Sequence, residues 1–293
     1  MSILSYPNRG TWGKSTYRGN CSGYIYKELF SLLKPMTFVD PMAGSFTSIE
    51  VAKEMGIEAY GLDLHEGFNI LKNSILEVVS KESDLVFSHP PYGGMIKYSG
   101  HVWGDTPHPD DLSHCIDDED FNTKLQLSLI NQRQATRAGG FYGMLIGDWR
   151  RQGIYTSYQA EIIARMPKDE LASVMIKVQH NTMSARLSYA KQQLPFITHE
   201  YILLWQKKNV AFFAFFQGLA LTQKKRLTDT WYSIVKFALM QLKGEAHLDQ
   251  IYEQVFKTAP DKVLNATHWK AKVRQILQTK DFQSSQRGIW SLA

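Results

Sequence analysis

The first two-thirds of the chain alternate between short apolar runs and longer stretches with helical spacing. The apolar runs have the length of buried strands and lie at residues 37–40, 59–64, 85–88, 142–146, 174–178 and 201–205. Helical spacing is found at 47–55 and 122–138, and glycines that are typical of helix ends follow, at Gly56 and at Gly139 with Gly140. Strands alternating with helices predict an α/β fold with a doubly wound, mostly parallel sheet.

The last quarter of the chain has a different, helix-rich pattern. Helical spacing is found in three stretches, 231–242, 248–256 and 268–278. A short apolar run at 288–292 has the character of a strand, and three helices with a terminal strand follow the plan of a winged-helix domain. We therefore predict three parts, a large α/β domain at 1–210, a linker at 211–228 and a small helical winged-helix domain at 229–293.

The charge of the chain is concentrated in its last quarter. The whole chain has a net charge of +5, and the segment from Thr222 to Ala293 holds 12 Lys and Arg against 6 Asp and Glu. That segment therefore carries +6, and the preceding 221 residues carry −1. A basic appendage on a near-neutral body favours contact with nucleic acid. On charge alone, a solvated lysine-rich surface remains an equal alternative.

Other bulk features narrow the cellular setting. The most apolar run, at 211–216, is far too short to span a bilayer, and the N-terminus has no secretory signal pattern. Two cysteines, Cys21 and Cys115, provide no disulfide framework and fit a reducing compartment. We expect a cytoplasmic protein with no membrane partner.

Two predicted strands end in segments that suit an adenosine-bearing ligand. The first strand runs into Asp-Pro-Met-Ala-Gly-Ser at 40–45, where small residues let a ligand approach the backbone amides at a helix N-terminus. The second strand leaves Asp63 at its carboxyl end, 19 residues after Gly44. An acidic residue at about this distance from a glycine turn commonly accepts hydrogen bonds from ribose hydroxyls.

The third strand runs into Ser-His-Pro-Pro-Tyr-Gly-Gly at 88–94. Pro91 has no N–H and a fixed φ, and Pro90 drives His89 towards extended backbone geometry. The result is a stiff turn that holds backbone carbonyls and the ring of Tyr92 at fixed positions.

With these segments in this order, the chain resembles the DNA amino-methyltransferases, which methylate adenine N6 or cytosine N4 with S-adenosylmethionine. Residues 40–45 match the cofactor loop of that family, and His89-Pro90-Pro91-Tyr92 falls on its catalytic motif. Further similarity lies at 17–23, 147–151 and 199–207, and the order of the segments resembles the γ arrangement. The resemblance covers roughly residues 10–208 and implies a Rossmann-like class I methyltransferase domain.

The resemblance also implies the residues of the site. The catalytic set is His89, Pro90, Pro91 and Tyr92. The cofactor set is Asn20, Cys21, Ser22, Asp40, Pro41, Met42, Ala43, Gly44, Ser45, Asp63, Leu64 and Ser88. No metal is expected, because the histidines and acidic residues of 101–120 lack metal-ligand spacing and fit a solvated lid loop better. Two positions depart from the family pattern: Phe46 replaces a glycine of the loop, and His89 replaces Asp, Asn or Ser.

In this family the residue before the prolines and a backbone carbonyl, here that of Pro90, accept hydrogen bonds from the target amino group. Tyr92 would stack on a base flipped out of the duplex. His89 can accept only when neutral, so an acid limb in the rate is expected near its ordinary pKa of about 6.5. The alternative is that His89 is merely a spacer in an impaired enzyme.

The last quarter resembles winged-helix domains attached to restriction and modification enzymes. Its third helix would read DNA, with Val273, Ile276 and Leu277 inward. The candidate DNA contacts are Lys270, Lys272, Arg274 and Gln275, together with Arg186 from the polar segment 179–193. A protein-binding or purely structural helix bundle is the alternative.

These features together predict site-specific methylation of adenine N6 in double-stranded DNA, with cytosine N4 as the main alternative. RNA or protein-glutamine methylation and a catalytically inactive DNA-binding regulator remain further alternatives. The expected setting is the cytoplasm of a bacterial or phage-infected cell, on DNA, within DNA methylation or restriction-modification. A homodimer and a cognate restriction nuclease stay open as partners.

Overall fold

The computed structural model describes residues 2–180, 194–210, 214–215, 218–219, 231–279 and 282–292. The chain divides into two compact units, Met1–Val210 and Ala211–Ala293. The predicted linker at 211–228 lies largely outside the described residues, and Arg186 lies outside them entirely.

The first unit is built on a seven-stranded sheet. Its strands are β1 (Ile3–Ser5), β2 (Thr37–Asp40), β3 (Glu58–Gly61), β4 (Ser83–Ser88), β5 (Thr136–Ile146), β8 (Leu171–Val178) and β9 (His199–Gln206). The strand order is β1-β8-β9-β5-β4-β2-β3. Every neighbouring pair is parallel except the two that involve β9, which runs antiparallel to both β5 and β8. A separate hairpin is formed by β6 (Trp149–Arg151) and β7 (Ile154–Thr156).

Helices cover both faces of this sheet. They are α1 (Gly23–Leu33), α2 (Thr47–Glu54), α3 (Ile75–Val79), α4 (Asp118–Ala135) and α5 (Tyr158–Arg165). Successive residues of a strand point to opposite faces, so Phe38 packs with α1 and α2 while Val39 packs with α3. Burial on both faces explains why β2 and β4 are continuous apolar runs rather than alternating ones. The predicted Rossmann-like, doubly wound and mostly parallel α/β sheet is confirmed.

All six predicted strands are present, but the predicted end of the long helix was wrong. Helix α4 ends at Ala135, and the glycine pair lies inside β5 instead of stopping the helix. The pairing of β4 with β5 shifts register between Ser83 and Leu85, so extra residues of β5 bulge out there. Gly139 has φ +75°, and a side chain on Gly140 would come within 2.8 Å of the Asp84 carbonyl. Glycine therefore serves a β-bulge here, not a helix cap.

A buried ion pair links helix α4 to Glu170, the residue that precedes β8. Arg133 of α4, only 3% exposed, binds Glu170 with both Nε and Nη2, at 2.8 and 2.6 Å. The Tyr142 hydroxyl of β5 donates to the same carboxylate at 2.6 Å. Because each polar group has a partner, burial of this cluster is tolerated.

The second unit contains helices and a three-stranded antiparallel sheet. Its described elements are α6 (Trp231–Gln241), β10 (Glu245–His247), α7 (Leu248–Thr258), α8 (Pro260–Leu264), α9 (Trp269–Leu277), β11 (Phe282–Gln286) and β12 (Ile289–Leu292). The strands pair in the order β10-β12-β11. The three predicted helices are present, and the predicted terminal strand is the second strand of a hairpin. Among the described residues, none of the helices has the length and apolar character needed to cross a bilayer.

Candidate active site

The sheet changes its direction of winding at β2. From β2 the chain moves to β3 on one side and then returns to β4 on the other. In open α/β sheets, ligands bind at the carboxyl ends of the strands beside such a switch point. Here the loop after β2 holds Pro41–Ser45, and the loop after β4 holds His89–Tyr92. The two segments singled out in the sequence therefore meet at one place.

A cavity lies at this edge, and its empty space, including the open mouth, is about 790 Å³. Most of the predicted cofactor residues line it: Asn20, Cys21, Pro41, Met42, Ala43, Gly44, Ser45, Asp63 and Leu64. His89 and Pro91 line the same cavity. The predicted loop and the predicted catalytic turn thus share one space.

Three predicted cofactor residues lie outside the described lining of the cavity. Ser22 directly precedes α1, and its hydroxyl donates to the Asn8 carbonyl at 3.0 Å. Ser88 is buried and hydrogen-bonds Gln132 of α4 at 2.8 Å. Asp40 is buried behind the loop, accepts from the Ser48 hydroxyl at 2.6 Å, and has its pKa raised to about 7 by burial. Asp40 therefore supports the loop from below.

Asp63 holds the glycine turn against the end of β3. Its carboxylate accepts from the backbone N–H groups of Gly44 and His65, each at 2.9 Å. Gly44 has φ +52°, and a Cβ there would come within 3.2 Å of the Tyr17 ring. A carboxylate offers about four acceptor positions, so Asp63 keeps capacity for a ligand hydroxyl.

Phe46 shows how the loop accommodates a large residue at the usual glycine position. It adopts a left-handed backbone with φ +62° immediately before α2. Its ring packs over Gly61 at the end of β3, where any side chain on Gly61 would collide with it. The space that the Phe46 ring needs is therefore provided by Gly61, which has no side chain.

About half of the lining lies outside the predicted catalytic and cofactor sets, although two of these residues, Tyr17 and Gly19, belong to the segment 17–23 that resembles the family. The additional residues are Tyr17, Gly19, Tyr26, Thr47, Ser48, Phe68, Asn69, Ile70, Tyr98, Trp103, Asp110, Asp111 and Leu112. Asp110 and Asp111 come from the segment interpreted as a solvated acidic lid, yet Asp111 is buried and accepts from both the N–H and the hydroxyl of Ser99. Their spacing from the loop follows no motif, so only the fold could reveal them.

The charges of the lining have one sign. Asp63, Asp110 and Asp111 line the cavity, and the described lining residues include neither lysine nor arginine. Lys72, from outside the lining, pairs with Asp110 at 2.6 Å. Asp63 and Asp111 pair with no lysine or arginine among the described ion pairs. The cavity therefore favours a ligand that carries positive charge and disfavours a bare phosphate.

The catalytic turn is tied to β9 by hydrogen bonds. Nε2 of His89 lies 2.8 Å from the Tyr92 hydroxyl, and that hydroxyl donates to Oε1 of Glu200 at 2.7 Å. Glu200 in turn pairs with Lys177 of β8. The Tyr92 ring packs over Gly147, where a Cβ would come within 2.6 Å of it. The predicted stacking of Tyr92 on a base stays a prediction.

The surroundings of His89 favour its neutral form near pH 7. Burial lowers its pKa to about 4, and Lys177 acts in the same direction, against the opposing effect of Glu200. The acid limb in the rate near the ordinary value of about 6.5 assumed a solvated ring and stays a prediction, which the lowered pKa of His89 moves to lower pH.

The predicted DNA contacts of the second unit lie together on α9. Lys270, Lys272, Arg274 and Gln275 are exposed, whereas Val273, Ile276 and Leu277 are buried as expected. Lys270 also lies over the rings of Tyr252 and Trp269, at 5.2 and 5.7 Å from their centroids. Within the described parts of the chain, no group of His, Cys, Asp and Glu could hold a metal ion.

Comparisons with known proteins add solved structures of low similarity. No protein-family model matches the chain, and no curated protein matches it significantly. TrmN from Thermus thermophilus is 14% identical, with 65% of this chain and 50% of that one covered, at a TM-score of 0.42.

Two further structures are TTHA0409, also from Thermus thermophilus, and an S-adenosylmethionine-dependent methyltransferase from Clostridium acetobutylicum. TTHA0409, a proposed DNA modification methylase solved with S-adenosyl-L-methionine, is 22% identical over 48% of this chain and 54% of that one, at a TM-score of 0.31. The Clostridium protein is 9% identical, with 64% of this chain and 91% of that one covered, at a TM-score of 0.36. The chain thus spans about half the length of TrmN and TTHA0409. All three scores are below 0.5, so the function is inferred from the site itself.

The lowered pKa of His89 makes the stability of the fold depend on pH. Between about pH 6.5 and pH 4, the unfolded chain binds a proton at His89 that the folded chain does not, so stability falls as pH falls through this window. His89→Asn removes this contribution. The free energy of unfolding of the wild type, minus that of the variant, should be constant above pH 6.5 and drop by about 2 kcal/mol at pH 5. Urea denaturation at several pH values measures it, and parallel wild-type and variant curves down to pH 4.5 would contradict it.

Proposed function

We propose that the chain is an S-adenosylmethionine-dependent methyltransferase that modifies an exocyclic amino group of a base in double-stranded DNA. The observation that carries the proposal is the acidic cavity at the switch point, which shares its wall with the His-Pro-Pro-Tyr turn. Adenine N6 is favoured over cytosine N4, and the preference is mild because His89 stands where Asp, Asn or Ser would separate the two.

The residues of the cavity fit S-adenosylmethionine. The left-handed Gly44 leaves room beside Tyr17 that a Cβ would fill, and Asp63 keeps acceptor capacity for the ribose. Phe68, Ile70 and Leu112 supply apolar walls for a flat ring. The carboxylates of the lining suit a sulfonium and an ammonium group. Bound there, S-adenosylmethionine would supply an electrophilic methyl group.

The same charge pattern argues against the dinucleotide cofactors that other Rossmann-like domains bind. Those cofactors carry a pyrophosphate, which favours basic groups or free helix N-termini. In the described lining, the glycine turn is instead occupied by the Asp63 carboxylate, which would repel phosphate. The cavity thus supports a cationic cofactor over an anionic one.

The turn after β4 supplies what amino methylation requires. The lone pair of an exocyclic amino nitrogen is delocalised into the ring, and two hydrogen-bond acceptors on its N–H groups make it available. Neutral His89 and the Pro90 carbonyl are the proposed acceptors, held without reorganisation by the Pro90-Pro91 turn. With S-adenosylmethionine bound, the amino nitrogen would take the methyl group from the sulfonium, whose sulfur would keep the electron pair of the broken bond as a thioether, and the methylated nitrogen would release one proton to water.

We propose that the second unit is a winged-helix domain that grips duplex DNA. Its element order, α6-β10-α7-α8-α9 followed by the β11-β12 hairpin, supports this, as do the exposed cationic side chains of α9. A recognition helix in the major groove contacts base edges and phosphates with such residues. A homodimer, a cognate nuclease and a cytoplasmic location on DNA stay predictions of the same proposal.

Cofactor binding tests the cavity directly. Gly44→Ala should weaken S-adenosylmethionine binding about tenfold or more, because it strains the backbone and narrows the cavity beside Tyr17. Gly56→Ala is the matched control, since Gly56 also has φ +72° but has open space around it. Isothermal titration calorimetry measures both. A wild type without affinity would favour the inactive-regulator alternative, and equal affinity in all three proteins would contradict the assignment of Gly44.

Labelled methyl transfer tests the substrate. The wild type should transfer methyl groups to duplex DNA and not to matched RNA or protein, and nucleoside digestion with mass spectrometry should yield N6-methyladenine. N4-methylcytosine would select the alternative base. Transfer of the labelled methyl group to RNA or to protein glutamine would contradict DNA as the substrate.

Salt dependence tests the proposed reading helix. Lys272→Ala/Arg274→Ala should lower DNA affinity and reduce the slope of log affinity against log salt by about 2, because two phosphate contacts are lost. The control variant Lys243→Ala/Lys257→Ala removes the same charge from exposed positions outside α9, and its slope should stay closer to that of the wild type. Fluorescence anisotropy at several salt concentrations measures it. Identical slopes for both double variants would contradict the role of α9.

A further inference from the structure

We propose that Lys177, Glu200 and Tyr92 form a hydrogen-bonded relay that holds His89 as the Nε2–H tautomer and leaves Nδ1 as the acceptor for the substrate amino group. The inference rests on the proposed function, because it names the positioning residues of that site. Nothing in the motif His-Pro-Pro-Tyr itself decides which ring nitrogen carries the proton.

The relay is assembled by the one reversed strand of the sheet. Because β9 is antiparallel, its first residues lie beside the carboxyl ends of its neighbours, and Tyr201 pairs with Ile146 at the end of β5. Glu200 lies directly opposite Lys177 near the end of β8. The two side chains therefore reach the edge of the sheet where the turn with Tyr92 leaves β4.

The charge at the end of the relay is fixed. Glu200 is only 4% exposed, yet its pairing with Lys177 and the hydrogen bond from Tyr92 hold its pKa below the usual range. The Gln179 amide also donates to it. Glu200 is therefore an ionised carboxylate, which can only accept hydrogen bonds.

The direction of the remaining hydrogen bonds follows from proton counting. The Tyr92 hydroxyl has one hydrogen, and burial beside Glu200 raises its pKa, so the hydrogen stays on Tyr92. That hydrogen goes to Glu200 at 2.7 Å, because an acceptor-only oxygen at that distance needs a donor. Tyr92 must then accept from His89 at 2.8 Å, and the donor is Nε2–H.

The consequence falls on the other ring nitrogen. A neutral imidazole has one N–H and one acceptor, so Nδ1 of His89 is unprotonated. Nδ1 has no hydrogen-bond partner in the part of the chain that the structure describes, and His89 lines the cavity. The thiol of Cys21, which also lines the cavity, is neutral because burial raises its pKa to about 11. Lys177 and Glu200 are then the charged groups that act on His89.

The relay explains how histidine can stand where the family pattern has Asp, Asn or Ser. Those side chains carry an acceptor oxygen of their own, whereas in a neutral histidine the tautomer decides which of the two ring nitrogens is the acceptor. Tyr92 thereby becomes a positioning residue through its hydroxyl. Burying Lys177 with Glu200 costs desolvation energy, and a hydrophobic pair of similar volume would be as stable or more so.

The first experiment observes the tautomer. The full chain with 15N-labelled histidine is studied by long-range proton–nitrogen NMR at pH 7, and the His89 signals are assigned by their loss in His89→Asn. The wild type should show Nε2–H, and Tyr92→Phe should shift the ring towards a mixture of tautomers. Lys177→Met/Glu200→Leu should do the same in a chain that remains folded. A wild-type Nδ1–H tautomer, or no change in both variants, would overturn the relay.

The second experiment uses activity with a double-mutant cycle. Tyr92→Phe should lower kcat 10- to 100-fold with an unchanged KM for S-adenosylmethionine, the size seen for outer-shell positioning groups. In the His89→Asn background the same change should cost less than threefold, because asparagine brings its own acceptor. Equal losses in both backgrounds would mean that Tyr92 acts only through packing.

Tyr201→Phe is the matched control. The Tyr201 hydroxyl lies 2.9 Å from Nε2 of His199, so the variant removes another tyrosine–histidine hydrogen bond on the same strand, outside the described cavity lining. It should leave kcat and the His89 tautomer unchanged. Absence of methyl transfer in the wild type would contradict the proposed function but not the relay. The NMR measurement tests the relay without any need for activity.

Discussion

The parallel pairing of β2 with β4 is the constraint on which the site depends. Both strands are buried on both faces, so their register is tightly specified and their carboxyl ends lie side by side. The chain reaches β4 only after an excursion through β3 and α3, yet the two loops that follow β2 and β4 become neighbours. The cofactor loop and the His-Pro-Pro-Tyr turn share one cavity because two apolar strands of unremarkable sequence pair there.

The reversal of β9 has a second, independent consequence. It inserts an antiparallel strand between β5 and β8 and so brings Glu200 to the same edge as the carboxyl ends of the parallel strands. Burying Glu200 with Lys177 is expensive in a nonpolar interior, and the pair is stabilised by the further donors Tyr92 and Gln179. A charge pair of this kind is better explained by the orientation that it imposes on His89 than by any gain in stability.

The charged and the neutral side chains of the site suit different parts of the proposed reaction. The lining carries the carboxylates of Asp63 and Asp111, and the turn after β4 carries an imidazole and a phenol whose pKa values favour their neutral forms. A cationic cofactor and an uncharged nucleobase amino group would each meet a complementary surface. The low pKa of His89 follows first from its burial, with Lys177 acting in the same direction.

The amino-acid sequence by itself determined six strands of the large sheet, the positions of five helices, nine of the twelve cofactor candidates that line the cavity, and the buried face of α9, because periodicity and short motifs are local properties. It did not predict α1, α3, α5 or α8. It failed at Gly139 and Gly140, where a bulge opposite Asp84 replaced the expected helix end, and at Asp110 and Asp111, which approach the cavity from about 70 residues beyond the loop. Only the tertiary structure decided the state of His89. Its neutral form follows from burial, and its tautomer follows from Glu200, which lies 111 residues away in sequence and reaches Tyr92 only because β9 runs backwards through the sheet.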